Sequence, residues 1–395
     1  MTNRPPLLDP LAVPLDGCML IEASAGTGKT HTITTLYLRL LLERGLKVEQ
    51  ILVVTFTNAA TAELRERLRS RIALLLDAIE GKSVADAEVT ALAHRRVQID
   101  TQENDRRHLR AALYNFDLAP IHTIHSFCQR VLQQYAFEGG RAFSAELSSD
   151  SERWIEAAVS GYWLDAIERA DENSPFLPPR SKASDDPIPG LLEQEARTAL
   201  LELANWRVRC PDLQVLWPEG TTPKEKAWRE FLQQGLDHVL QFLAQERRRR
   251  GVRSFDDLLQ ELREALRSPA GEGLADCVRR QFPAALIDEF QDTDPVQYEI
   301  FRRIYNGQDH CSLFLIGDPK QAIYAFRGAD VFAYLRAKRD ATGCYTLLQN
   351  HRSAAGLVRA VNTLFSQQAH PFLIDGIEFY ASEPALRDVA GARLE

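Results

Sequence analysis

The sequence predicts an α/β fold built on a parallel sheet, and three observations carry that prediction. Short apolar runs, "CMLIEAS", "QILVVTFT", "PIHTIHSF", "AALIDEF", "SLFLIGD" and "CYTLLQN", alternate with segments of helical period. The first run leads into the glycine-rich stretch "ASAGTGKT" and then into "HTITTLYLRLLLERG", a strand, a loop and a helix in that order. Between Ser148 and Phe282 the strand signals fade, and long amphipathic patterns such as "KAWREFLQQGLDHVLQFLAQERRRR" take over. A doubly wound α/β domain with a mainly helical insertion accounts for all three.

Composition bounds what such a fold can do. The 395 residues exceed what one core usually fills, so two or more domains are expected. The net charge is −8, so any nucleic-acid contact has to come from a local basic surface and not from a bulk field. Cys18, Cys128, Cys210, Cys277, Cys311 and Cys344 are scattered, with no CxxC and no tight Cys/His cluster. That spacing fits free thiols in a reducing compartment and excludes a zinc or iron–sulfur reading. The first twenty residues lack a basic end followed by an apolar core, and no apolar run approaches the ~18 residues that span a bilayer. The sequence reads as a soluble cytoplasmic protein with no membrane partner.

Each element can then be justified in order. In the loop formed by Ala23, Ser24, Ala25, Gly26, Thr27, Gly28, Lys29 and Thr30, the two glycines let backbone N–H groups turn toward phosphate oxygens. Lys29 can reach the β- and γ-phosphates of a nucleotide, and Thr30 can ligate Mg²⁺ while opening the helix. Ala23 stands where the usual pattern has glycine, and a small residue at negative φ still closes such a loop. After "TFTNAA", Leu64, Leu68, Ile72, Leu75 and Ile79 share one helix face, with Arg65, Arg67, Arg69 and Arg71 mostly off it. This is a surface helix with a basic outer side. A Pro/Ser/Asp-rich loop is expected from Asn173 to Pro189, and the run Arg247 to Arg250 ends at Gly251, which suits a solvated helix C-terminus better than a DNA patch. In "AALIDEFQDTD", Asp288 and Glu289 fall at the C-terminal end of a strand. There Asp288 suits the Mg²⁺ shell and Glu289 suits orienting or deprotonating a water. Most adjacent acidic pairs are merely solvated. The phosphate loop upstream is what gives this pair its meaning.

In this order, "IEASAGTGKT", "VVTFTNAATAELRERL", "TIHSFCQRVL", "DEFQDTDPVQY", "IGDPKQAIYAFRGAD" and "NHRS" resemble the superfamily 1 DNA helicases of the UvrD/Rep type, and within them the RecB-type helicase–nucleases. The family's loop is often AxxGxGKT, which accommodates Ala23. The resemblance implies a P-loop NTPase with a RecA-like sheet that uses ATP and Mg²⁺. It implies a first lobe over 1–147 and 283–345, a helical, duplex-contacting insertion over 148–282, and the start of a second lobe over 346–395. Gln321 would sense the γ-phosphate, or is a surface turn glutamine. Arg352 would act as an arginine finger, or is a surface arginine. Tyr324 and Phe326 would stack on single-stranded DNA beside Arg327, or pack at the sheet edge. Thr55, Thr57 and Asn58 can donate to DNA phosphates while Phe56 meets a base, and the same residues suit a helix cap. Thr123 and His125 would touch the strand backbone, with a structural role for His125 equally open. Implied partners are single-stranded and duplex-end DNA and the gamma and alpha subunits of a heterotrimeric helicase–nuclease acting in double-strand break repair and recombination.

The family's later motifs are not found after "NHRS", and neither is a nuclease carboxylate cluster, so the chain is expected to be the front part of a larger protein. "LLDPLAVPLDGCML" lacks the glutamine-centred segment that reads adenine in simpler relatives. A free-standing UvrD-like helicase, or an ATP- and DNA-binding module without turnover, are the alternative readings.

Overall fold

The computed structural model describes residues 4–99, 101–135, 146–147, 151–168, 189–209, 214–217, 219, 223–308, 310–324, 329–368 and 370–385. Two compact units divide the chain, one formed by Met1–Gly140 with Glu261–Glu395, the other by Arg141–Gln260.

The first unit begins with β1 (Gly17–Ala23), α1 (Lys29–Leu42), β2 (Ile51–Thr55), α2 (Asn58–Ile79), α3 (Ala87–Gln98), α4 (Gln102–Tyr114), β3 (Ile121–Thr123) and α5 (Ile124–Gln134). In the second unit lie β4 (Glu146–Leu147), α6 (Ser151–Glu168), α7 (Pro189–Arg209), α8 (Pro223–Arg250) and β5 (Val252–Arg253), and α9 (Phe255–Arg267) straddles the boundary in sequence. The first unit resumes with α10 (Gly271–Gln281), β6 (Ala284–Ile287), α11 (Pro295–Tyr305), β7 (Ser312–Gly317), α12 (Val331–Asp340), β8 (Gly343–Leu347), β9 (Gln349–Asn350), α13 (Ala355–Phe365) and β10 (Glu383–Pro384).

A six-stranded sheet in the order β3-β2-β6-β7-β1-β8 organises the first unit. Every pair in it is parallel, with Leu20 opposite Leu315 on one side and Cys344 on the other. A parallel sheet is covered on both faces, so its inner strands should be apolar throughout and not alternating. The strands "ILVVT", "AALI" and "SLFLIG" are indeed buried at every position. Parallel strands also bring all their carboxyl ends to one edge, where α/β proteins place ligands. On α2, Leu64, Leu68, Ile72, Leu75 and Ile79 are buried as their spacing predicts. Each such side chain contributes about 1.5–3 kcal/mol by leaving water.

Two local expectations are corrected. The run "PIHTIHSF" is a strand only as far as Thr123, whose hydroxyl then accepts the Ser126 N–H and starts α5. Arg71 does not belong to the basic outer side of α2. It is buried, with its guanidinium 3.0 Å from Asp86.

The second unit has its own core, in which Trp154, Val159, Trp163, Leu200, Phe231 and Val239 pack together from α6, α7 and α8. The basic end of α8 stops at Gly251, whose φ of 65° is the left-handed conformation a helix C-terminus uses. Arg249 and Arg250 there pair with Glu246, and Arg247 pairs with Asp257. The loop expected from Asn173 lies outside the described residues as far as Pro189, which opens α7. Among the described residues no helix is long and apolar enough to cross a membrane.

Candidate nucleotide and DNA site

The carboxyl end of β1 turns into α1 through residues 24–28. Ala23 is the last residue of β1, fully buried and paired with Leu347. Gly26 and Gly28 have φ of 78° and 91°, a conformation open to glycine and strained for other residues. Gly26 also leaves room for the chain opposite, since a Cβ there would stand 2.8 Å from Arg352 Cβ. Thr27 is buried, its hydroxyl donating to the Ser24 carbonyl at 2.8 Å. The loop is held from outside by "NHRS": Asn350 Nδ2 donates to the Ala25 carbonyl at 3.0 Å, and the His351 N–H donates to the Gly26 carbonyl at 2.8 Å. Asn350 Oδ1 in turn accepts the N–H groups of Arg352 and Ser353 at 2.9 and 2.8 Å. Sequence reasoning quoted Asn350 inside its motif and gave it no task. It is the clasp of the loop.

A cavity of about 1020 Å³ opens in front of this loop, lined by Gly26 to Thr32 and by Asp288, Glu289 and Arg352. The structure therefore brings together most of the nucleotide residues named from sequence. Ala23, Ser24 and Ala25 do not line the cavity, and neither does Gln321, whose Nε2 donates to Asp318 Oδ2 at 2.7 Å. The rest of the lining includes the apolar Leu7, Leu8, Pro10, Leu347 and Leu348 beside polar residues such as Glu63, Arg67 and Glu88. Leu8 N–H bonds to the Thr346 carbonyl at 2.9 Å, so the segment before β1 runs along β8 and supplies an apolar wall that its sequence did not announce.

Charge is concentrated at the loop end. Lys29 Nζ lies 2.6 Å from Glu289 Oε2. Glu289 itself sits at φ 49°, a left-handed conformation that costs a non-glycine residue about 1 kcal/mol or more. Burial pushes the Asp288 carboxyl up to about 6, and the charge of Glu289 adds to the shift. A divalent cation would reverse that balance, because it makes the ionised form of a buried carboxylate the stable one. Asp292, which sequence reasoning passed over, is also raised to about 6, first by burial and then by Glu289. Its Oδ1 is buried with no hydrogen-bond partner among the described residues. Glycines turning amides outward, an ammonium, a hydroxyl at the helix start and a buried carboxyl form a donor set that fits a magnesium-bound triphosphate.

Of the residues expected at DNA, those described lie at or follow the carboxyl ends of β2, β3 and β7, on one edge of the sheet. Phe56 and Tyr324 stack on each other, ring centroids 6.2 Å apart and planes within 14°. The threonines are engaged locally: Thr55 is buried and donates to the Thr57 carbonyl, Thr57 accepts the Ala60 N–H at 3.1 Å, and Thr123 caps α5. Asn58 is the exposed first residue of α2, and His125 is half-buried in the first turn of α5. Three residues earlier, His122 is held down to about 4 by burial, with Arg130 and Arg65 adding to the effect. Phe326 and Arg327 lie outside the described residues.

Residues 9–342 match the family model described as the UvrD/REP helicase N-terminal domain. The RecBCD enzyme subunit RecB of Escherichia coli (strain K12) is 35% identical over an alignment that covers 99% of this chain and 41% of that protein. For the RecB subunit of Haemophilus influenzae the figures are 31%, 95% and 42%, and for that of Mycolicibacterium smegmatis 39%, 89% and 30%. The chain thus spans between 30% and 42% of the length of these relatives.

Proposed function

Because the chain belongs to the UvrD/REP helicase family, we propose that it is the ATP-driven motor portion of a RecBCD-type helicase–nuclease acting on DNA ends in double-strand break repair and recombination. The observation that carries this reading is the single cavity onto which Gly26–Thr30, Asp288, Glu289 and Arg352 converge from positions more than 300 residues apart in sequence.

In this reading the Gly26–Thr30 loop would hold the phosphates of ATP, and Leu7, Leu8 and Leu347 offer apolar surface for its base. Thr30 and Asp288 would hold Mg²⁺, which would supply positive charge to offset that of the phosphates. Lys29 leaves Glu289 and turns to the phosphates, where its charge stabilises the leaving oxygen. Glu289, released from the ammonium, takes a proton from the water that attacks the γ-phosphorus. Arg352 approaches the γ-phosphate from the far side and stabilises charge on its oxygens in the transition state. Gln321 gives one amide N–H to Asp318 and keeps the other for that phosphate; because it does not line the cavity, the contact needs the turn after β7 to move.

Single-stranded DNA runs along the ends of β2, β3 and β7, with bases on the Phe56–Tyr324 rings. The proposal extends to Phe326 and Arg327, and to DNA backbone contacts by Thr55, Thr57, Asn58, Thr123 and His125. The insertion expected over 148–282, whose compact part is the unit Arg141–Gln260, would be the subdomain that meets the duplex, and 346–395 would begin the second lobe. The remaining subunits of a RecBCD-type enzyme, the gamma and alpha chains, are its partners, in the cytoplasm. The test is ATP hydrolysis by the full-length protein with its partner subunits, with and without single-stranded DNA. Hydrolysis stimulated by DNA is expected. Hydrolysis indifferent to DNA, or no hydrolysis, would remove the motor reading.

A further inference from the structure

One side chain in "DEFQDTD" has no task in the reaction described so far. Gln291 is only 2% exposed, and both ends of its amide are in use. Its Nε2 donates to Glu289 Oε2 at 2.8 Å, and its Oε1 accepts the Asp318 backbone N–H at 2.9 Å. The neighbouring strand is shaped to admit it. At Gly317, the last residue of β7, a Cβ would stand 2.7 Å from Gln291 Oε1. Gly317 is not among the glycines with positive φ, so space, not backbone conformation, is what requires glycine there. Beyond this contact, Asp318 accepts from Gln321 Nε2 at 2.7 Å and pairs with Lys320 at 2.8 Å. Lys320 continues to the buried Glu22, 3.4 Å away. One amide therefore joins the carboxylate in the nucleotide cavity to the turn that carries Gln321 and leads to Tyr324.

We propose that Gln291 is a positioning residue that fixes the Glu289 carboxylate for water activation and couples its position to the turn after β7. The proposal deepens the ATPase reading and rests on it. Its physical reason lies in the oxygen that Lys29 and Gln291 share: Glu289 Oε2 accepts from Lys29 Nζ at 2.6 Å and from Gln291 Nε2 at 2.8 Å. Once Lys29 turns to phosphate, Gln291 is the side-chain donor that remains among the described residues. A single directional hydrogen bond holds the carboxylate in its rotamer and leaves its other lone pairs for water. The amide does this without adding a charge. Glutamine alone offers a donor and an acceptor at this reach, since glutamate loses the donor and asparagine is one methylene too short to span Glu289 and Asp318.

Gln291→Met, Gly317→Ala and the double variant, each in the full-length protein with its partner subunits, test the proposal. Mg·ATP affinity is read by calorimetry, and kcat and KM of DNA-stimulated hydrolysis are read at steady state. Gln291→Met should keep Mg·ATP affinity within about twofold and lower kcat by about 10- to 100-fold with KM nearly unchanged, the effect of a reacting group moved by a fraction of an ångström to an ångström. Gly317→Ala, which displaces the same amide oxygen, should lower kcat in the same direction by less, and the double variant should be no slower than Gln291→Met. If Gln291→Met does not fold, the Gly317→Ala comparison decides alone. A kcat equal to that of the parent in whichever variant is read, or losses that multiply in the double variant, would overturn the proposal. A parent that does not hydrolyse ATP would instead overturn the reading on which it rests.

Discussion

At one edge of one sheet, two kinds of construction stand side by side. Toward β6, β7, β1 and β8 polar side chains are bonded across long stretches of sequence: Lys29 to Glu289, Gln291 to the Asp318 N–H, Lys320 to Glu22, Asn350 to the Ala25 carbonyl. Toward β2 and β3 they bond to their own neighbours, as Thr55 and Thr57 do at the start of α2 and Thr123 at the start of α5. The first arrangement is assembled only when the whole fold is in place and concentrates charge that catalysis can redirect. In the second, the helix starts are set by a few consecutive residues, and only its ring pair, Phe56 on Tyr324 from the turn after β7, reaches across the sequence. If the proposed sites are right, the side with the loop should respond to single substitutions with large losses of function and little change in stability, and the side of β2 and β3 with modest losses of both.

The strongest way to break that contrast is Glu289→Gln, which keeps shape and hydrogen bonding but cannot accept a proton. Mg·ATP should still bind, and DNA-stimulated hydrolysis should fall by ~10²-fold or more. A near-normal turnover would move the base elsewhere. Next in size are Phe56→Ala and Tyr324→Ala, each expected to weaken single-stranded DNA binding by about 1–3 kcal/mol. Their slope against log salt should stay that of the parent, because a ring releases no counterions. Anisotropy of a labelled oligothymidylate across salt concentrations measures both quantities, and unchanged binding would mean that the rings only pack on each other. Thr57→Ala should lower stability by about 1 kcal/mol in urea melts through loss of the α2 cap, with Thr57→Ser recovering it. A melt like the parent's would show that the cap carries no weight.

The smallest effect concerns pH on the DNA half. His122 ordinarily titrates near 6.5 and is held down to about 4 in the fold. Below pH 6.5 the unfolded chain takes up a proton that the folded chain refuses until about pH 4. Stability contributed by the neutral, buried imidazole is thus present above 6.5 and is lost as pH falls through that window. Replacing His122 with Gln should flatten the loss of melting temperature between pH 6.5 and 4, and an unaltered profile would mean that other groups set it.

How much of this was legible in sequence follows from the same contrast. The strands could be read because a two-faced parallel sheet demands unbroken apolar runs, and the α2 face because its leucines and isoleucines keep helical period. Gly26–Thr30 and the Asp288–Glu289 pair could be singled out because the chemistry proposed for them is tied to short, ordered patterns, and the fold brings both to one cavity. Asn350 and Gln291 lay in full view inside quoted motifs, yet their tasks depend on partners about 325 and 27 residues away, Ala25 and Asp318, which no local pattern specifies. The wall formed by Leu7 and Leu8 was equally hidden, because a short apolar segment acquires a role only by lying along β8. Arg71 was misjudged for a related reason: its helical position is peripheral, but Asp86 and Glu88 close over it from outside α2.

The central claim, that nucleotide and DNA occupy separately built halves of one strand edge, is tested most directly by a crossed binding measurement on Lys29→Ala and Phe56→Ala. Calorimetry with Mg·ATP and anisotropy with oligothymidylate are run on both variants and the parent. Lys29→Ala should lose Mg·ATP binding while keeping the parent's DNA affinity and melting curve, since it removes the charge opposite the phosphates and touches no core residue. Phe56→Ala should keep Mg·ATP affinity and lose about 1–3 kcal/mol on DNA. Equal losses of both ligands in either folded variant, or Mg·ATP binding that survives Lys29→Ala unchanged, would contradict the account.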